Sequence, residues 1–69
     1  MSETGAATTA DALELIVLNQ NALAAAVEEL SRWIHERGSA TVHENVMGAL
    51  QTLDTNAVGI LNSIELLRR

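Results

Sequence analysis

The sequence predicts an all-α fold: an antiparallel hairpin of two long helices, at about 11–37 and 42–68, assembling as a homodimeric four-helix bundle. Three observations carry this. Apolar residues recur at alternating spacings of three and four in both halves of the chain, the heptad rhythm of helices packed on helices. A short link containing Gly38 separates the halves. The first half also bears more apolar surface than one folded-back partner can cover.

Composition sets the frame. The chain has 69 residues, enough for one domain, and chains this short often need a partner or a staple to hold a core. Cysteine is absent, which excludes a disulfide framework and thiolate metal sites. Proline is absent as well, which suits long uninterrupted helices. Trp33 is the sole aromatic, so aliphatic side chains must build the core. A hydrophobic fraction of 48% belongs to a folded chain.

The first ten residues, Met1 to Ala10, consist of small and hydroxyl side chains with one acid and read as a disordered tail. Helix one is expected to begin near Asp11. Asp11 with Glu14, or Thr8 with Asp11, would satisfy the free amides there. Its expected hairpin seam is Leu13, Ile16, Leu23, Val27, Leu30 and Ile34, with Gln20 in the remaining slot. A polar seam residue can set register and partner number, or turn its amide out to water. The helix is expected to end at Arg37, with Gly38 supplying a left-handed cap.

Thr41 and Glu44 have the spacing of a capping box, placing the start of helix two at about Val42. Its seam is expected at Val46, Leu50, Leu53, Ala57, Ile60, Ile64 and Leu67. The four-residue link then forces the helices antiparallel, each about 40 Å long.

Around the helices, Leu15, Leu18, Ala22 and Ala25 form a second apolar stripe, and Val58 and Leu61 add apolar surface on helix two. These six residues are the expected oligomer interface, because exposed apolar patches mark contact surfaces. Gly48, Thr52, Thr55, Gly59 and Asn62 make a small-residue stripe on the outside of helix two, open to a partner helix or simply to water. Trp33, near the turn, reads as an edge plug of the core or an interface anchor.

Function is less legible. Net charge is −5 with four arginines and no lysine, the opposite of a phosphate-binding surface, so no nucleic-acid partner is expected. The apolar run Leu13 to Val27 is interrupted by Glu14 and by Asn19-Gln20-Asn21, so neither a membrane span nor a secretory leader is expected and the expected location is cytoplasmic. His35-Glu36 and His43-Glu44 flank the turn, but their spacing matches no metal-ligand pattern. No nucleophile–base spacing or phosphate loop stands out. The expectation is a non-catalytic protein without metal or cofactor. It would be a small interaction or regulatory module whose partners are itself, as homodimer or tetramer, and another protein. The alternatives are a purely structural self-assembling bundle and a metal-responsive helix pair using His35 and His43.

Overall fold

The computed structural model describes residues 2–69. Two helices form an antiparallel hairpin: α1, Glu3–Glu36, and α2, Ala40–Arg68. The hairpin measures 53 × 16 × 12 Å over its Cα atoms, a slat one helix thick.

α1 begins eight residues before the expected start at Asp11. Ser2 is the N-cap, its hydroxyl accepting from the Gly5 amide at 3.0 Å. Glu3 stands in the first turn, where the dipole favours an acid. Residues 3–10 are therefore helical and not a tail; Met1 lies outside the described residues. The reason is packing. Ala6 and Ala10 carry the three-four spacing back from Leu13, and Ala10 is fully buried beside Val17 and Ile64. Small side chains let the helices approach there, and alanine is the best helix former.

At the turn, the Gly38 amide donates to the His35 carbonyl at 3.0 Å and the Ser39 amide to the Ile34 carbonyl at 3.2 Å. This bond pair is a Schellman closure, and Gly38 occupies its positive-φ position at +100°. α2 then starts at Ala40, two residues before the expected Val42, with Ser39 as N-cap and no side-chain capping bond. Thr41 lies inside the first helical turn, so the proposed capping box is not the start of this helix. The closure at Ser39 leaves no room for a longer link.

The seam of α1 differs from the expected one. Ala10, Val17 and Ser31 are buried, while Ala6, Leu13, Gln20, Ala24 and Ile34 are half-buried. Val17, Ala24 and Ser31 thus replace Ile16, Leu23 and Leu30 against α2. The last three are 49%, 65% and 62% exposed, and Val27 is also exposed. On α2, Leu50 and Ile64 are buried and Val46, Ala57, Ile60 and Leu67 half-buried, with Leu53 exposed at the edge. The centre of the core is Ala10, Val17 and Ile64, with Leu13, Ala57, Ile60 and Leu67 packed on it.

Candidate functional site: the two broad faces of the hairpin

Each helix advances about 100° per residue, so the seam leaves two broad faces of opposite character. Cross-helix contacts define one of them. Arg68, at the end of α2, bonds Asp11 at 3.0 Å and Glu14 at 2.7 Å on α1. At the other end the rings of His35 and His43 meet edge to face, 4.8 Å between centroids. This face also carries Glu28, Arg32, Asp54 and Glu65, and it is charged along its length. The guanidinium of Arg68 has its pKa raised above the usual arginine value, chiefly by the hydrogen bond to Asp11. Asp11 and Glu14, expected as capping residues, thus serve as cross-helix anchors because α1 starts upstream of them.

The opposite face holds Ala12, Ile16, Asn19, Leu23, Val27 and Leu30 from α1 and Val42, Ala49, Leu53, Asn56, Ile60 and Ser63 from α2. None of these side chains is charged. Trp33 stands at its margin, 53% exposed, with the Arg37 guanidinium 4.4 Å over its ring. Together with Ala26, Glu29 and Leu30 it lines a shallow hollow.

The six residues expected to form the oligomer interface are all exposed. Leu15 and Leu18 line a shallow hollow with Asp11 and Glu14, at the border of the charged face, and Ala22 and Ala25 continue that stripe along α1. Val58 and Leu61 lie on the charged face of α2, beside Asp54 and Glu65. The small-residue stripe is open as well: a Cβ added at Gly48 or Gly59 would meet nothing within 4 Å. Thr52 and Ser63 turn their hydroxyls back to the carbonyls of Gly48 and Gly59. Gln20 is half-buried in the α1 seam.

Sequence reasoning missed Ser31. Its Oγ lies 2.9 Å from His43 Nδ1, and its carbonyl oxygen is 3.3 Å from the same nitrogen. A serine hydroxyl on an imidazole nitrogen is the first half of a nucleophilic dyad. Here the serine is 1% exposed, sealed between the helices, so the bond ties α1 to α2 at the turn end. The pairing was invisible in sequence because it needs the register across twelve residues. Among the described residues no group of three His, Cys, Asp or Glu side chains could hold a metal ion. No helix among them is long and apolar enough to cross a membrane.

The accessible surface is 5194 Å², against the ~4200 Å² that size scaling gives for a compact 7.4 kDa monomer. The surplus follows from the elongated 53 × 16 × 12 Å shape of the hairpin. Comparison with protein-family models, with curated proteins and with solved structures found no match.

Proposed function

We propose that this protein is a small non-catalytic interaction or regulatory module that works as a homo-oligomeric helical bundle. The observation that carries the reading is the exposure of Ile16, Leu23 and Leu30, large aliphatic side chains at heptad spacing that the single hairpin leaves 49%, 65% and 62% exposed. A dozen or so exposed aliphatic side chains on a slat this thin outnumber the four buried ones, which is the balance of a subunit and not of a finished globule. The sealing of Ser31 supports a role without a nucleophile. The uniformly acidic balance supports protein partners over phosphate polymers.

Equilibrium sedimentation at micromolar concentration tests the assembly: a multiple of the single-chain mass is expected, and a folded single-chain species contradicts the proposal. Recovery of a stoichiometric foreign protein with the tagged chain from its native cell separates an interaction module from a bundle that assembles only with itself.

A further inference from the structure

We infer that the uncharged broad face, centred on Ile16, Leu23 and Leu30 of α1 and Leu53 of α2, is where a second copy of this chain packs, face to face. The inference rests on the self-association proposed above and assigns it a surface.

The first support is a mismatch of register. The strongest apolar heptad in α1 runs Leu13, Ile16, Gln20, Leu23, Val27, Leu30, Ile34, yet the residues turned to α2 run Leu13, Val17, Gln20, Ala24, Ser31, Ile34. The heptad therefore points between α2 and the uncharged face. In a four-helix bundle each helix has two neighbours, and its core positions aim at the bundle axis between them. A helix whose apolar stripe is aimed this way has one neighbour present and one missing. The α2 heptad is turned to α1, with Leu50 and Ile64 buried, and only Leu53, 37% exposed, stands at its edge.

The second support is area. The broad side of the whole hairpin, 53 Å by 16 Å, is about 850 Å² in projection, near the ~800 Å² that each partner contributes to a standard stable interface, and its charge-free stretch from Ala12 to Leu30 covers about 27 Å of that length. The third is charge. Burying an unpaired charge is costly, and this face has none between Ala12 and Leu30 or between Val42 and Ser63. The opposite face would have to bury Asp54 and the ion pairs of Arg68 with Asp11 and Glu14 and of Arg32 with Glu28. A second hairpin presents the same tilted α1 heptad, so one face meets its own kind across a two-fold axis.

The test uses the full chain, whose lack of cysteine makes single-cysteine variants clean. Leu23→Cys and Leu18→Cys are labelled with a maleimide at a concentration where sedimentation gives the assembled mass, and again in denaturant. Leu23→Cys is expected to label at least ten-fold more slowly in the native assembly than unfolded, while Leu18→Cys labels at nearly the unfolded rate. Leu23→Glu and, as an independent variant on α2, Ala49→Glu are expected to give single-chain mass, and Leu18→Glu to leave the assembled mass unchanged. If the wild type sediments as a folded single chain, self-association itself fails and this face falls with it. If the wild type is assembled but Leu18→Cys is the protected position, or both labels react freely, self-association stands and this face is wrong.

Discussion

Arg68 Nη2 lies 2.7 Å from Glu14 Oε2, joining the end of α2 to the early part of α1 and marking which broad face of the hairpin is charged. The same guanidinium takes Asp11 at 3.0 Å, so one side chain closes the open end of the hairpin on two acids. Arg69, the C-cap of α2, pairs with Glu65 of that same helix at 3.1 Å. Arg68→Ala is therefore expected to lower the melting temperature more than Arg69→Ala. The difference should shrink as salt rises from 0.01 to 1 M, since screening weakens exposed pairs. Equal melting temperatures for the two variants at low salt would contradict the anchoring role.

The turn end is held by Ser31 and His43. Removing the buried hydroxyl in Ser31→Ala leaves the packing intact and deletes one cross-helix hydrogen bond, expected to cost about 1 kcal/mol in denaturant unfolding. His43→Ala should cost a similar amount, and the double variant less than the sum, because both remove the same bond. Full additivity in the double-mutant cycle would show that the two side chains do not act together.

Ala10 distinguishes a packed helix from a tail. It has no exposed surface and sits against Val17 and Ile64. Ala10→Leu should overpack this junction and destabilise the fold by about 1–3 kcal/mol, whereas Ala7→Leu, at an exposed position, should change stability little. Equal tolerance at both sites would return residues 3–10 to the status of an unpacked extension.

The glycines divide by conformation. Gly38 holds φ +100°, so Gly38→Ala is expected to destabilise by about 1–2 kcal/mol. Gly48 and Gly59 are helical with open space beside them, and alanine at either should stabilise by about 0.5–1 kcal/mol. Chemical denaturation of the three variants measures this. Destabilisation by Gly48→Ala or Gly59→Ala would mean that a helix backbone packs closely on that stripe in the assembled protein.

How far the sequence spoke depends on the kind of signal. Heptad spacing and Gly38 announced two helices and the fold-back between them, because helix periodicity and positive φ are local properties. The start of α1 was hidden, because the residues that extend it are alanines and threonines, which carry no hydrophobic contrast. Their role is to be small where α2 comes close. The rotation of the α1 seam from Ile16, Leu23 and Leu30 to Val17, Ala24 and Ser31 was hidden for a related reason. A close hairpin contact takes small side chains on α1, so its largest apolar residues stand outside that contact. The Arg68 anchor and the Ser31–His43 bond depend on cross-helix register, which no single-helix pattern contains.

Assembly coupled to folding makes stability depend on concentration. The most direct measurement is the thermal unfolding midpoint of the wild-type chain, followed by helical circular dichroism over a hundred-fold range of concentration. A midpoint that rises steadily with concentration is the result expected of hairpins that complete their core by pairing. A midpoint that stays fixed across the whole range, with helicity unchanged at the lowest concentration, would mean that the single hairpin stands alone.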